Sequence, residues 1–370
     1  MKIVVDRDIP FIEGVFEPHA DVLYLPGKDF TNESIKDADA LVIRTRTRCN
    51  AALLDGTSVK MIATATIGMD HIDLPYCASA GITVSNAAGC NAGGVMQYVF
   101  TSLYALAGKK NFLLNPCHGL HCTRVTGDNV PVLKLGVIGV GNVGGKVAKM
   151  GEYLGFEVFR CDPAKEREQT LAFNSGNLHL KDFKDYYSLE YLLENCDIVT
   201  MHTDLNPTSR GMAGEEFFSR MKEGAIFINS SRGEIVDEAA LEANIHKFRG
   251  VVLDVWCNEP EINRNLLAQA DIATPHIAGY SYEGKVNGTV MSVRSVGKHF
   301  SIPALEGFSI VPQEKNNNFF SAEGKSQEEI NGYFSNIFPI FEHCADLKSN
   351  PQDFEKLRAN FNYRREFYVI

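Results

Sequence analysis

The most informative segment of this 370-residue chain is Val137-Ile138-Gly139-Val140-Gly141-Asn142-Val143-Gly144. This G-x-G-x-x-G run follows an apolar strand pattern, Leu135 to Ile138, and precedes a helical pattern, Val143 to Leu154. In such a strand–turn–helix the first glycine permits the tight turn, the second lets the backbone approach a pyrophosphate, and the third packs helix on strand. The start of the helix then faces the phosphate charge. The predicted dinucleotide contacts are Gly139, Gly141, Asn142, Val143 and Gly144.

A second strand pattern, Phe156 to Cys161, ends at Asp162, about 20 residues beyond the glycine run. An acidic side chain at this place accepts hydrogen bonds from a ribose hydroxyl and repels a 2′-phosphate. Because strand, helix, second strand and acid all stand where the mechanism needs them, the sequence predicts an NAD-binding unit rather than a coincidental glycine-rich loop.

Charge and composition exclude several classes of partner. The chain has 36 Lys and Arg against 46 Asp and Glu, a net charge of −10, so we expect no nucleic-acid and no membrane partner. No stretch approaches the roughly 18 apolar residues of a membrane span, and Met1 to Asp6 resembles a first strand rather than a signal peptide. The nine cysteines lack a regular spacing, which is typical of reduced thiols in the cytoplasm.

One cluster of soft ligands needs weighing as a metal site: Cys117, His118, His121 and Cys122. Adjacent ligands in so short a loop cannot easily take tetrahedral positions around zinc, and no second cluster completes a known spacing. We therefore predict no metal site and interpret the segment as a loop leading into the strand at Leu135.

Short apolar runs separated by helix-length intervals predict two parallel α/β lobes. The first lobe has strand patterns at Lys2 to Val5, Val22 to Leu25, Ala40 to Ile43, Val59 to Thr64 and Ile82 to Val84. A long helix is predicted from Asn91 to Leu106, and residues 108–131 connect the lobes. The second lobe continues with strand patterns at Val137-Ile138, Val158 to Arg160, Ile198 to His202, Ala225 to Asn229, Val251 to Val255 and Ile272-Ala273.

In a doubly wound sheet the ligand lies beyond the carboxyl ends of the strands. The polar residues that directly follow strands of the second lobe are Thr203, Ser230, Ser231, Arg232, Asp254 and His276. Hydride transfer from an alcohol needs a substrate anchor, a proton acceptor and a group that tunes that acceptor. Arg232 is the predicted substrate anchor and His276 the predicted proton acceptor. Glu259 is predicted to tune His276 by fixing its tautomer. Taken singly, a surface arginine or a core histidine is the more common outcome.

These segments resemble the D-isomer-specific 2-hydroxyacid dehydrogenases. The glycine run, N-x-x-R-G at 229–233, L-D-V-x-x-x-E-P at 253–260 and P-H-I-A-G at 275–279 match that family in order and spacing, over about residues 35–285. Likeness to one group of the family at 63–73, 88–92, 276–285 and 354–366 extends it to nearly the whole chain. Departures are insertions around 110–131 and 165–183, and Ser230-Ser231 before the arginine.

The resemblance implies an NAD-dependent oxidation of a small phosphorylated 2-hydroxyacid. It implies cofactor positions at Thr203, Ser230, Ser231, Asp254 and Gly279, and substrate positions at Thr45, Thr66 and Tyr280. Alternatives are another D-2-hydroxyacid, such as 3-phosphoglycerate or hydroxypyruvate, and an NAD-sensing binding module.

A phosphorylated substrate needs cations in an acidic protein. Arg44, which follows the strand Ala40 to Ile43, is the predicted phosphate ligand. Arg46 and Arg48 are interpreted as solvated surface charges, and Arg364 and Arg365 are candidates if the tail folds back.

The tail after Tyr280 leaves the strand–helix alternation, with a helical pattern at 285–300 and alternating polar and apolar positions beyond it. A domain added to a complete two-lobe enzyme most often supplies a self-complementary surface, so we predict a homodimer. The alternative is a lid or a domain that only adds stability. The predicted α/β fold thus has a flavodoxin-like substrate lobe (1–108 and 276–285), a Rossmann NAD lobe (109–275) and a C-terminal α+β dimerisation domain (286–370).

Overall fold

The computed structural model describes residues 1–114, 132–179, 182–312 and 314–370. The chain forms two compact units. The first unit is Met1–Asn91 with Ser281–Asn316, and the second unit is Ala92–Tyr280 with Asn317–Ile370. The segment from Cys117 to Cys122 lies outside the described residues. Within them, no group of three or more His, Cys, Asp or Glu side chains could hold a metal ion, and no helix is long and apolar enough to cross a membrane.

The secondary structure alternates strands and helices until Tyr280. The strands are β1 (Lys2–Asp6), β2 (Asp21–Leu25), β3 (Ala40–Ile43), β4 (Met61–Thr64), β5 (Thr83–Asn86), β6 (Lys134–Ile138), β7 (Glu157–Cys161), β8 (Ile198–Met201), β9 (Ile226–Asn229), β10 (Gly250–Leu253), β11 (Ile272–Ala273), β12 (Phe319–Phe320) and β13 (Tyr368–Val369). The helices are α1 (Ala51–Leu54), α2 (Leu74–Ser79), α3 (Ala92–Lys110), α4 (Asn142–Tyr153), α5 (Pro163–Asn174), α6 (Leu189–Asn195), α7 (Glu215–Arg220), α8 (Glu238–Asn244), α9 (Arg264–Gln269), α10 (Tyr282–Phe300), α11 (Pro303–Glu306), α12 (Gln327–Ile337), α13 (Ile340–Ser349) and α14 (Phe354–Ala359).

The first unit is built on a parallel five-stranded sheet with the order β2-β1-β3-β4-β5. This is the flavodoxin-like order, so the predicted fold of this lobe is confirmed. Alternate residues of a strand point to opposite faces. Ala40 and Val42 therefore join one apolar core, whereas Leu41 and Ile43 join the other. Burial on both faces explains why β3 is a continuous apolar run in the sequence.

The second unit is built on a parallel six-stranded sheet with the order β11-β10-β9-β8-β6-β7. Beside β7, the Tyr187 amide donates a 2.8 Å hydrogen bond to the Arg160 carbonyl. The chain thus passes where the doubly wound order 3-2-1-4-5-6 has its third strand. The strand order reverses between β6 and β8, and ligands of such sheets bind at this switch point. The glycine run that follows β6 stands at that place.

The C-terminal residues from Asn317 belong to the second unit. Phe334 packs edge-on against Tyr104 of α3 at a ring-centroid distance of 5.4 Å, and Phe338 lies 5.9 Å from Tyr98. The short parallel pair β12 and β13 joins the two ends of this segment, with Phe319 opposite Tyr368. Helices and a small sheet together give this region α+β character.

The two compact units divide the chain at 91/92, 280/281 and 316/317, whereas the three domains with boundaries at 108/109, 275/276 and 285/286 stay a prediction. Helix α3 lies in the second unit because Tyr98, Val99 and Leu103 share one core with Leu135 and Val137 of β6. Helix α10 lies in the first unit, where its Val293 and Val296 pack in the core that contains Ile3 and Val5. The apolar face of each helix is visible in the sequence. The strands that each helix packs against are distant along the chain, so the sequence does not show which unit the helix joins.

Gly297 provides a test of close packing in the first unit. A Cβ atom there would lie 2.5 Å from the Glu306 nitrogen and 2.7 Å from the Leu305 carbonyl carbon, so α10 and α11 would have to separate. We expect Gly297→Ala to lower the free energy of unfolding by about 1–3 kcal/mol. Gly332→Ala in α12 is the control, because its Cβ meets no atom within 4 Å and alanine favours a helix interior by about 0.5–1 kcal/mol. Urea midpoints decide; equal effects would contradict the packing argument.

Candidate active site

The glycine run forms a tight turn between β6 and α4. Gly139 has φ +81°, and a Cβ on it would lie 2.8 Å from the His202 carbonyl group and 2.9 Å from the Thr203 nitrogen. A Cβ on Gly144 would lie 1.9 Å from the Gly139 oxygen. Gly141, by contrast, has no atom within 4 Å of its Cβ position. The loop is thus closed where the chain packs on itself and open where a phosphate would approach, at the start of α4 with Asn142 and Val143.

Asp162 lies at the end of β7 and is bonded to the same loop. Its Oδ2 accepts a hydrogen bond from the Val140 amide at 2.8 Å, and its Oδ1 accepts one from the Lys165 amide at 3.0 Å as the N-cap of α5. A carboxylate has about four acceptor sites, so both oxygens keep capacity for ribose hydroxyls. The acid is thereby held at a fixed place beside the glycine run.

The carboxyl ends of β8 and β9 carry buried polar atoms that the folded chain does not satisfy. Thr203 Oγ1, Ser230 Oγ and His202 Nδ1 have no hydrogen-bond partner among the described residues. Burial lowers the pKa of His202 to about 3. A buried hydroxyl left without a partner costs about 1–3 kcal/mol. Buried polar atoms of this kind at the ends of the strands fit a polar ligand of the dinucleotide type.

Asn229 shapes the loop that carries Ser231 and Arg232. Its Oδ1 accepts from the Ser231 amide at 3.0 Å and from the Ser231 hydroxyl at 2.8 Å, and its Nδ2 donates to the Arg232 carbonyl at 3.0 Å. A Cβ on Gly233 would lie 2.0 Å from the Trp256 carbonyl carbon. The absence of a side chain at Gly233 therefore lets the Arg232 loop lie against the loop that leads to Glu259.

His276 and Glu259 form a hydrogen-bonded pair. His276 Nδ1 lies 2.8 Å from Glu259 Oε2, and Glu259 Oε1 accepts from the Trp256 amide at 3.0 Å. Burial raises the pKa of the Glu259 carboxyl, but His276, Arg358 and the Trp256 amide together bring it below its usual value. His276 has φ +57°, a left-handed conformation that is unfavourable for a side chain with a Cβ. The pairing through Nδ1 leaves Nε2 as the nitrogen for a substrate.

Asp254 builds the loop on which His276 sits. Its side chain is fully buried and accepts hydrogen bonds from the Thr274 hydroxyl (2.6 Å), the Ile277 amide (2.8 Å) and the Ala278 amide (2.9 Å). The His276 amide donates to the Asp254 carbonyl at 2.7 Å. Burial raises the pKa of Asp254. Asp254, which the sequence predicts as a cofactor contact, therefore orients the loop that carries His276.

The end of this loop, Gly279 and Tyr280, meets the C-terminal segment of the second unit. Tyr280 Oη lies 3.0 Å from Arg358 Nε. Arg364 is buried and donates to the carbonyls of Ala278 (2.6 Å), Tyr280 (3.0 Å) and Gly94 (2.7 Å). This arginine, a sequence candidate for phosphate binding, is thus engaged with the backbone.

The other predicted substrate residues lie in the first unit. Arg44 follows β3, and its guanidinium contacts Asp6 Oδ2 at 3.0 Å and Asp8 Oδ2 at 2.9 Å. Thr45 is exposed in the turn after β3, and Thr66 Oγ1 lies 2.7 Å from Thr64 Oγ1. The charge of Arg44 is therefore offset by two carboxylates, which the local sequence did not reveal.

Several residues that shape the site escaped sequence reasoning. Asn229 begins the N-x-x-R-G segment, so its position was visible although its role was not. His202 and Thr274 directly follow strands, and their contacts with Thr200 and Asp254 appear only in the folded chain. Arg358 had no local signal, because its contacts arise from the folding of the tail.

Comparisons with known proteins identify the family of the chain. The family model described as "D-isomer specific 2-hydroxyacid dehydrogenase, NAD binding domain" matches residues 120–278. An erythronate-4-phosphate dehydrogenase of Bacteroides fragilis is 41% identical over 374 residues, covering 99% of this chain and 97% of that protein. One from Yersinia pestis is 34% identical over 377 residues, covering 99% and 93%.

Solved structures show the same architecture. The D-lactate dehydrogenase of Aquifex aeolicus, complexed with NAD and lactic acid, is 25% identical with a TM-score of 0.62, covering 83% of this chain and 97% of that one. The NAD⁺-bound 3-phosphoglycerate dehydrogenase of Entamoeba histolytica, at 24% identity, has a TM-score of 0.64 and covers 84% and 99%. The latter supports the fold alone.

The buried, neutral His202 predicts a pH dependence of stability. Its pKa is about 3 in the folded protein and about 6.5 when unfolded, so the unfolded state gains a proton first and stability falls as pH drops from 6.5 toward 3. At pH 5.5 this loss is about 1.4 kcal/mol. We expect His202→Gln, which can keep the Thr200 contact, to lack this loss. The measurement is urea unfolding of both proteins at pH 7.5 and 5.5.

The control for this comparison is His19→Gln, since His19 is exposed. Its unfolding free energy should follow that of the unaltered protein at both pH values. Parallel pH dependence of His202→Gln and the unaltered protein would show that His202 takes up its proton in the folded state.

Proposed function

Since this chain belongs to the erythronate-4-phosphate dehydrogenases, a group of the D-isomer-specific 2-hydroxyacid dehydrogenase family, we propose that it oxidises 4-phospho-D-erythronate to 2-oxo-3-hydroxy-4-phosphobutanoate with NAD. This reaction is a step in the formation of pyridoxal 5′-phosphate. The observation that carries the proposal is the His276–Glu259 pair, 2.8 Å apart, at the carboxyl end of a dinucleotide-type sheet. A binding module without catalysis would not need this pair.

The chain's own residues perform the acid–base part of the reaction. His276 Nε2 takes the proton of the C2 hydroxyl as the C2–H bond breaks and the C2=O bond forms. NAD, when bound, supplies the acceptor for the hydride. Glu259 holds the proton on His276 Nδ1, which keeps Nε2 as the basic nitrogen and stabilises the imidazolium that results. Arg232 binds the substrate carboxylate through its planar guanidinium.

The residues that would hold NAD follow from the site. The glycine run from Gly139 to Gly144 faces the pyrophosphate, and Asp162 accepts hydrogen bonds from the ribose. The remaining polar contacts come from Thr203, Ser230, Ser231, Asp254 and Gly279. The hydroxyls of Thr203 and Ser230 have no partner in the part of the chain that the structure describes. This supports the assignment, because a bound ligand would remove their desolvation cost.

The substrate contacts are Arg44, Thr45, Thr66 and Tyr280. We propose Arg44 as the phosphate ligand on the grounds of its position after β3 and its likeness to the relatives. Asp6 and Asp8 hold its guanidinium in one orientation, which lowers the entropy lost when a phosphate binds. They also reduce its net attraction for an anion.

The test of function is the formation of NADH, followed by absorbance at 340 nm, with NAD and a panel of 2-hydroxyacids. The panel contains 4-phosphoerythronate, 3-phosphoglycerate and glycerate, whose oxidation gives hydroxypyruvate. We expect turnover with the first and at least a hundredfold lower kcat in His276→Ala, which removes the base. His19→Ala is the matched control and should keep full activity. Turnover only with another acid would reassign the substrate. Tight NAD binding without any turnover would indicate a sensing module.

We further propose that the protein is a cytoplasmic homodimer. The cysteines at Cys49, Cys77, Cys90, Cys161, Cys196, Cys257 and Cys344 are free thiols, in keeping with a reducing compartment. Exposed apolar side chains collect on the small C-terminal sheet: Phe319 is 53% exposed, Tyr368 46% and Ile370 73%. An apolar strand pair of this kind suits a self-complementary interface.

Light scattering tests the dimer. The unaltered chain should have twice the monomer mass of 40.9 kDa, whereas Phe319→Asp should approach the monomer mass because a charge is placed in the interface. Leu171→Asp on α5 is the control, since Leu171 is 70% exposed but distant in sequence from the strand pair. A monomeric unaltered chain, or no difference between the two variants, would reject this interface.

A further inference from the structure

Arg358 reaches the catalytic pair from helix α14. Its Nη1 lies 3.8 Å from Glu259 Oε2, the same oxygen that bonds His276 Nδ1. Its Nε donates to the Tyr280 hydroxyl at 3.0 Å, and the guanidinium carbon lies 5.8 Å from the centre of the Tyr280 ring. The side chain is 27% exposed. One guanidinium thus contacts both the carboxylate that orients the base and a tyrosine at the end of the catalytic loop.

Packing holds α14 and its arginine in this position. Phe354, at the start of α14, is buried in the same core as Trp256 and Ile262, which flank Glu259. Six residues beyond Arg358, Arg364 donates to the carbonyls of Ala278 and Tyr280. The C-terminal segment is therefore bonded to the loop that carries His276 at several points, and these bonds keep the backbone of α14 close to Glu259.

We propose that Arg358 is a positioning residue for the reaction, which sets the charge balance of the Glu259–His276 pair and fixes Tyr280 for the substrate. The proposal rests on the proposed function, because it assigns a role in that same site. It gives the C-terminal segment a part in catalysis that is separate from dimerisation.

The charges around the pair define what Arg358 contributes. Glu259 faces His276 and Arg358, while His276 also faces the carboxylate of Asp254. Without Arg358, two carboxylates would act on His276 with less opposing positive charge. The loss of this positive charge favours the imidazolium over the neutral imidazole. The acidic limb of the kcat/KM profile should therefore move to higher pH.

Loss of the Tyr280 hydrogen bond has a different signature. The phenol would lose its donor at Nε, and a mobile Tyr280 would weaken substrate binding. We expect KM to rise about fivefold to tenfold in Arg358→Gln, which corresponds to the loss of one ordinary hydrogen bond. Arg358→Lys keeps the positive charge but not the planar fork. It should restore the pH profile and leave most of the KM defect.

The experiment compares Arg358→Gln and Arg358→Lys with Lys356→Gln. Lys356 lies on the same helix with an exposed side chain, so its substitution removes the same charge without touching the pair. We measure kcat and KM from pH 5.5 to 9 and, without substrate, the NMR titration of the His276 Cε1 proton, assigned by its loss in His276→Ala. The proposal holds if Arg358→Gln moves both the limb and the titration upward while Lys356→Gln moves neither.

The proposal fails if Arg358→Gln behaves as Lys356→Gln does, or if it lowers only the unfolding free energy. If Arg358→Gln does not fold, Arg358→Lys decides instead. A raised KM with an unchanged pH profile supports the proposal, and an unchanged KM contradicts it. The NMR titration needs no turnover, so a failure of the proposed function, seen as no activity of the unaltered protein, is separate from a failure of the role of Arg358.

Discussion

The buried carboxylate of Asp254 is the interaction on which the catalytic end of the second unit depends. Three donors, the Thr274 hydroxyl and the amides of Ile277 and Ala278, converge on it. A buried charge is tolerated only when it is well hydrogen-bonded, so this carboxylate requires the loop to keep one shape. That shape includes the left-handed backbone of His276, whose cost is sustained because the surrounding bonds leave no alternative.

Much of the fold was predictable from local patterns because parallel strands are buried on both faces. β3 is found at Ala40–Ile43 as predicted, and β11 at Ile272–Ala273. The glycine run and Asp162 were visible because their chemistry requires fixed spacing. The boundaries of the units were not, since the partners of α3 and α10 lie far along the chain. The ion pairs of Arg44 with Asp6 and Asp8 depend on β1 lying beside β3, which no local pattern reveals.

The candidate cofactor site contains buried polar atoms that lack hydrogen bonds to the described residues. These atoms belong to Thr203, Ser230 and His202. Asn229, by contrast, forms hydrogen bonds with Ser231 and Arg232 of the same loop. Buried polar groups without partners lower the stability of the free protein, and a ligand that bonds to them removes this loss. The sequence contains the hydroxyls, but only the fold shows that they are buried and unpaired.

The bonds from Arg364 to the loop after His276 also order events during synthesis. The five-stranded and the six-stranded sheet are complete in sequence by Ala273, well before the ribosome reaches the tail. The bonds from Asp254 to this loop can form before the tail emerges, whereas the bonds from Arg364 form only after it. The core that the tail shares with β6 is filled at the same late stage, so the sheet and the loop reach their final packing together.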